Sequence, residues 1–176
     1  MKKKKFRFFI DHENEEKWIN DMAEQGWHLK KFWPFVFVFE KGDPGAYIYR
    51  NEMVLARKKD YFEFLETMDV ERVHQFGVWS YFRKKTTDGP FDIYSDSTDK
   101  MRYLTKINRL FIFVCILNML IFLLNMSNLL QNSELPKSIM LVIAFNFLVA
   151  VMLYIAIRKN SKRKKTLKNT MLLFER

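Results

Sequence analysis

The chain has 176 residues, room for one ordinary domain plus an attachment, which argues against a two-domain enzyme. Its 30 Lys and Arg against 20 Asp and Glu give a formal charge of +10, and such a surplus first suggests a nucleic-acid binder. The distribution argues otherwise: residues 8–98 hold 12 basic and 17 acidic side chains, a body that repels phosphate, whereas residues 99–176 hold 13 basic and 3 acidic ones.

The single cysteine, Cys115, excludes an intramolecular disulfide and a zinc site built on paired thiolates. After the basic opening only Phe8, Phe9 and Ile10 precede Asp11 and His12, too short an apolar run for a secretory signal, so the N-terminus is expected to stay inside.

In chain order, Lys5 to Ile10 predicts a strand. Asp11 with Glu13, Glu15 and Glu16 then marks a helix start, carboxylates lying near the positive end of the helix dipole, and Gly26 stops that helix. Its apolar face is Trp18, Ile19, Met22 and Ala23. WHLKKFW and FVFVFEKG read as two strands broken at Pro34, and the GDPG turn at 42–45 leads into a further strand, AYIYRNEMV. A second helix follows in DYFEFLETMD, where Asp60 and Glu63 resemble a capping box. VERVHQF and VWSYFRKK resume strands. GPFDIYSD reads as an edge strand or extended linker.

The order strand, helix, strand, strand thus occurs twice, and a shift of 43 residues sets Arg7 on Arg50, Trp18 on Tyr61, Phe39 on Phe82 and Lys41 on Lys84. The expected fold is an α+β domain over residues 1–98, two βαββ repeats (about 5–45 and 46–95) forming a mostly antiparallel sheet with both helices on one face. The 21 aromatic residues of this part supply a dense core. The free sheet face is the candidate interaction surface, with Trp27, Trp33, Phe37, Trp79 and Tyr81 as its residues. Core, interface and ligand pocket stay open for these aromatics, core packing being the safer account.

After a polar linker helix over 99–109, residues 110–130 run 21 positions and residues 139–157 run 19 positions without a charge. At about 1.5 Å per residue each spans about 30 Å, the thickness of bilayer hydrocarbon. Lys100, Arg102, Lys106 and Arg109 precede the first stretch and Arg158, Lys159, Lys162, Arg163, Lys164, Lys165 and Lys168 follow the second. The loop 131–138 holds only Lys137 beside Glu134. The positive-inside rule then puts both termini of this multi-pass chain in the cytoplasm, with the loop outside the cytoplasmic (inner) membrane. The depths of Asn118 and Asn146 differ by about one turn, and a carboxamide in hydrocarbon seeks a partner, so a bond between them within the hairpin, or across a homo-oligomer, is expected at about 0.6 to 2 kcal/mol. The basic tail 158–176 finds its default partner in anionic lipid, through Arg158, Lys159, Lys162, Arg163, Lys164 and Lys165, at about 1 kcal/mol each. Leu167, Met171, Leu172 and Phe174 are candidates for a short apolar stripe behind it.

A search for chemistry yields no catalytic residue, no cofactor site and no metal set. No phosphate-binding glycine loop is present, and His12, His28 and His74 lack ligand spacing, although His28 and His74 occupy similar places in the two repeats.

The segments KFRFFIDHENEEKWINDMAEQGWHLKKF, FVFEKGDPGAYIYR and GVWSYFRKK, followed by two spans, resemble the domain of unknown function 2812 family, over roughly residues 5–95. The resemblance implies a protein mostly of Gram-positive bacteria, with membrane helices and often beside PadR-type transcription regulators, and brings no catalytic residue with it. The expected function is a membrane-anchored, non-enzymatic regulatory or sensory binding module. Its partner is an unidentified protein, such as one of a PadR-type regulator system, and direct nucleic-acid contact is not expected. The alternative is an accessory subunit of a membrane transporter or envelope-stress system acting through the hairpin.

Overall fold

A computed structural model describes residues 1–54, 59–94, 96–131 and 137–174, with all their side chains except those of 128–131 and 172–174. The connecting loop with Glu134 and Pro136, and the stripe residues Leu172 and Phe174, lie outside the described side chains. The chain forms two compact units, Met1–Ile93 and Tyr94–Arg176.

In the first unit the elements are β1 (Lys2–Phe6), α1 (His12–Glu24), β2 (Trp27–Trp33) and β3 (Val36–Lys41), then β4 (Tyr47–Met53), α2 (Lys59–Thr67), β5 (Glu71–Phe76) and β6 (Trp79–Lys85). This is the βαββ layout twice over. Each repeat makes its own antiparallel sheet with the last strand in the middle, in the orders β1-β3-β2 and β4-β6-β5. Both sheets carry an irregularity in the same place, between Leu29 and Lys31 in β2 and between Arg72 and His74 in β5.

Asp11 caps α1, its carboxylate accepting the Glu13 N–H at 3.1 Å, as an acidic residue before a helix does. Gly26 ends it at φ +76°, a left-handed conformation that a residue without Cβ adopts freely. β1 lies three to four residues earlier than expected, because Lys2 to Lys5 pair with β3 across the ladder, while Arg7 follows with a single bond to the Phe35 carbonyl. Of this lysine run Lys3 is half-buried, its Nζ 4.6 Å above the Trp27 ring, while Lys2, Lys4 and Lys5 are exposed. The described residues of GPFDIYSD form no strand, and Phe91 among them is buried.

Two cores result. One joins Ile19, Met22 and Ala23 of α1 to Leu29, Phe32, Phe37 and Phe39 of the first sheet, and to Tyr49 and Tyr81 of the second. The other joins Leu65 of α2 to Val54, Val70, Phe82 and Phe91. Each helix therefore covers the equivalent face of its own repeat, Phe39 under α1 and Phe82 under α2. Tyr81 and Phe82 point to opposite faces of β6, so the second sheet is covered on both sides.

In the second unit, α3 (Ser97–Gln131) and α4 (Lys137–Phe174) are two long packed helices. Over Ser97–Ser127 and Lys137–Met171 they are long and apolar enough to cross a membrane, and Leu124, Leu141 and Phe147 are each at least two-thirds exposed. The polar linker and the basic tail are continuous with these helices rather than separate segments.

Candidate functional site

The first unit concentrates its buried polar chemistry where α1 meets β4. Asn20 accepts the Tyr49 N–H at 2.8 Å through Oδ1 and donates Nδ2 to the Tyr49 carbonyl at 3.0 Å. Two residues on, the Asn51 N–H donates to Glu16 Oε2 at 3.0 Å, and Asn51 Nδ2 donates to the His12 carbonyl at 3.1 Å. Side chains of α1 thus occupy the hydrogen-bonding edge of β4 that no strand pairs, closing it to strand addition. Arg50 lies 3.5 Å from Glu16 and 3.5 Å from Asp92.

Behind this edge the Tyr81 hydroxyl donates to Glu15, and Asn51 Nδ2 lies 3.5 Å from the same carboxylate. Burial raises the Glu15 pKa above the ordinary 4.5, and the bonds from Tyr81 and Asn51 offset part of the rise. Burial likewise pushes the Tyr49 hydroxyl up to about 12, against the pull of the Arg83 guanidinium. Arg83 is itself held charged by Glu71, 2.7 Å away, and stacks 4.3 Å over the Tyr47 ring. Such a network positions α1 on the second repeat. Among the described residues no three His, Cys, Asp or Glu side chains gather closely enough to hold a metal ion.

The five aromatics read as one interaction surface are dispersed. Phe37 and Tyr81 are core residues, because each points toward α1 on its strand. Trp27 is half-buried between Lys3 and Lys41, and Trp79 is half-buried against the His12 ring, 6.3 Å away. Trp33 is the exposed member, at 53 %. The histidines part company too: His28 Nε2 bonds the Asp43 carbonyl at 2.8 Å, whereas His74 Nδ1 accepts the Phe32 N–H at 3.4 Å. Both reach the second sheet, His74 by this bond at the edge where β2 runs beside β5, and His28 by its ring, which packs 5.2 and 6.4 Å from those of Tyr47 and Tyr49 on β4.

In the second unit Asn118 and Asn146 come together, but through a main-chain group: Asn118 Nδ2 donates to the Asn146 carbonyl at 3.2 Å. The Asn146 carboxamide nitrogen is buried without a partner among the described residues, beside a cleft of about 90 Å³ lined by Cys115, Asn118, Phe122, Phe147 and Ala150. A second polar contact, missed in the sequence, lies three turns nearer the basic ends. Asn160 Nδ2 donates to Asn108 Oδ1 at 3.0 Å, and Asn108 Nδ2 donates to Ser161 Oγ at 3.2 Å.

The model of a family described as a protein of unknown function (DUF2812) matches residues 11–116, from the cap of α1, beyond β1, through the rest of both repeats and into α3. The chain belongs to the DUF2812 family. No curated protein and no solved structure matches it. The DUF2812 match thus takes in the α1–β4 network whole, together with Asn108, and stops short of α4. In this DUF2812 chain the basic residues of α4 are unequally placed: Arg158, Lys159, Lys162 and Lys165 are exposed, Arg163 and Lys164 half-buried. Arg158 also donates to the Tyr154 hydroxyl at 3.1 Å.

Proposed function

We propose that this protein is a membrane-anchored, non-enzymatic regulatory or sensory binding module of the bacterial cytoplasmic membrane, with both termini in the cytoplasm. One observation carries the reading: α3 and α4 outlast their apolar stretches at the same end, where Asn108, Asn160 and Ser161 bond the two helices together. At about 1.5 Å per residue the 38 residues of α4 reach about 57 Å, well beyond a hydrocarbon layer of about 30 Å. The surplus length is the basic arm, and positive residues favour the cytoplasmic side. Anionic lipid then meets Arg158, Lys159, Lys162 and Lys165, and a protein partner, such as a PadR-type regulator system, meets the first unit.

The test is a Cys115→Ser chain carrying one cysteine, at Ser161 or at Ser138, probed in intact cells with a membrane-impermeant thiol reagent. Labelling at Ser138 alone is expected; labelling at Ser161 overturns the orientation. Co-purification of the detergent-extracted full chain tests the binding role, and recovery of no partner, with no ligand that shifts the melting temperature, counts against it.

A second reading has its own support in the unpartnered Asn146 nitrogen, since a buried amide in an apolar cleft suits a helix from another membrane protein. Here the chain is an accessory subunit of a transporter or envelope-stress system. Exchange of the hairpin for an unrelated anchor separates the two: partner capture survives if the first unit binds and disappears if the hairpin does.

A further inference from the structure

The first sheet has one face under α1 and one face open. On the open face the ladder sets residues in rows: Phe6, Val36 and Trp33 in the first, Lys4, Val38 and Lys31 in the second, and Lys2 and Glu40 in the third, where the β2 member, His28, is buried against Tyr47 of β4. Phe6 is 77 % exposed and Trp33 53 %. Phe35, in the turn joining β2 to β3, adds to this end of the sheet, with Phe6 and Phe8 rings 6.1 and 5.3 Å from its own. Phe8 and Phe35 are themselves 46 % and 44 % exposed, so three Phe rings crowd together in water at the end of a lysine row, and Trp33, whose ring lies 5.7 Å from that of Phe76, ends the Phe6 row across β3. Solvent gives no reason for such a cluster, and core packing does not absorb it.

We propose that this face, with the Phe6–Phe8–Trp33–Phe35 end leading, docks on an anionic bilayer surface. Rings with a lysine row behind them match the depth profile of a lipid interface, apolar edge first and anionic headgroups next. Charge selects this occupant: Lys2, Lys4 and Lys31 on the face oppose a single carboxylate, Glu40. A second copy would set lysine rows against each other. Single-stranded RNA needs separate flat rings to stack its bases, whereas Phe6 and Phe8 tilt by 53° and 56° onto Phe35. The proposal rests on the membrane reading above, and it makes the first unit a second, reversible contact with the bilayer that its own helices enter.

The test uses the full chain with Cys115→Ser and Phe8→Cys, carrying an environment-sensitive fluorophore and reconstituted in nanodiscs. In phosphatidylserine-rich discs the emission shifts to the blue and is quenched by a quencher placed at headgroup depth, and in pure phosphatidylcholine discs the shift is small. Lys2→Gln, Lys4→Gln and Lys31→Gln together lower the docking equilibrium on the order of a hundredfold, from about 1 kcal/mol per lysine. Identical emission in both discs overturns the proposal, as does an equal shift with polyuridylate in detergent, which reassigns the face to RNA. Phe8 itself is lost in this design, so Trp33→Ala with the label at Phe6→Cys repeats it with Phe8 kept and the other ring end altered, and an unchanged shift there also overturns it. A protein stripped from discs by alkaline wash defeats the membrane reading instead, a result distinct from an undocked label on a chain that resists the wash.

Discussion

Asn20 of α1 holds Tyr49 of β4 by both of its main-chain polar groups, as a neighbouring strand would. The side-chain amide presents an acceptor and a donor at the spacing a peptide unit presents them, so a helix from the first repeat finishes the sheet of the second. Asn20→Ala leaves an N–H and a carbonyl unpaired beside the core and is expected to cost about 2 to 4 kcal/mol. Asn20→Asp keeps only the acceptor and falls between. Urea midpoints of the full chain in detergent, followed by tryptophan emission, check the order.

Glu15 carries the opposite sign. Its folded pKa lies above 4.5, so the folded state holds the proton more tightly, and stability is lost as pH rises through the folded value. Glu15→Gln keeps an acceptor for Tyr81 and Asn51 without the charge. The variant is expected to melt higher than the parent at pH 7, with the two curves converging toward pH 4; a parent that melts higher at both values contradicts this.

His74 titrates at the seam between the sheets. Burial and the Lys31 charge lower its pKa below 6.5, and its bond from the Phe32 N–H needs an unprotonated Nδ1. Stability is therefore full above pH 6.5 and lost as pH falls toward the lowered value. His74→Asn, which offers an acceptor that does not titrate, flattens the melting temperature between about pH 6.5 and 5 relative to the parent.

Two left-handed glycines separate strain from crowding. A Cβ on Gly26, φ +76°, would stand 2.6 Å from the Gly42 carbonyl oxygen, while one on Gly77, φ +55°, meets nothing within 4 Å. Gly77→Ala is expected to cost about 1 to 2 kcal/mol, the left-handed penalty alone. Gly26→Ala costs at least about 3 kcal/mol, since the Gly42 N–H is also bonded to the Gly26 carbonyl and its backbone cannot withdraw.

Asn108→Leu and Asn118→Leu each remove polar contacts between α3 and α4, and each is expected to weaken the hairpin by about 0.6 to 2 kcal/mol. Ten residues of helix, about 15 Å, separate them, so their effects should add within about 0.5 kcal/mol. Unfolding of the reconstituted full chain by steric trapping measures both terms.

The repeated layout was legible because its punctuation is chemical: Asp11, Gly26, Pro34, the GDPG turn and Gly77 sit where the chain must start a helix, stop one or reverse. The helix pair was legible from uninterrupted apolar length. What escaped depended on partners far along the chain. Asn20 and Glu16 look like solvated helix positions until β4 lies beside them. In FVFVF the alternation divides Phe37 and Phe39 from Val36 and Val38 but does not say which set meets α1, so Phe37 was grouped with Trp33, which points the other way. The irregularity at Lys30 adds one residue to β2 and shifts its alternation, which a period of two read straight through cannot follow. Asn108 and Asn160 flank the apolar runs, where an asparagine is unremarked.

The reach of α1 into the second repeat also sets a timetable. Asn20 waits for a strand 29 positions later and Glu15 for a hydroxyl 66 positions later, so the first repeat leaves the ribosome with its core unfinished. At roughly 5–20 residues per second that interval is about 3 to 13 s, during which the core around Ile19, Met22 and Ala23 lacks Tyr81 of the second sheet. The repeats are one cooperative product of synthesis, and the apolar stretch of α3 begins to emerge soon after Tyr81 closes it.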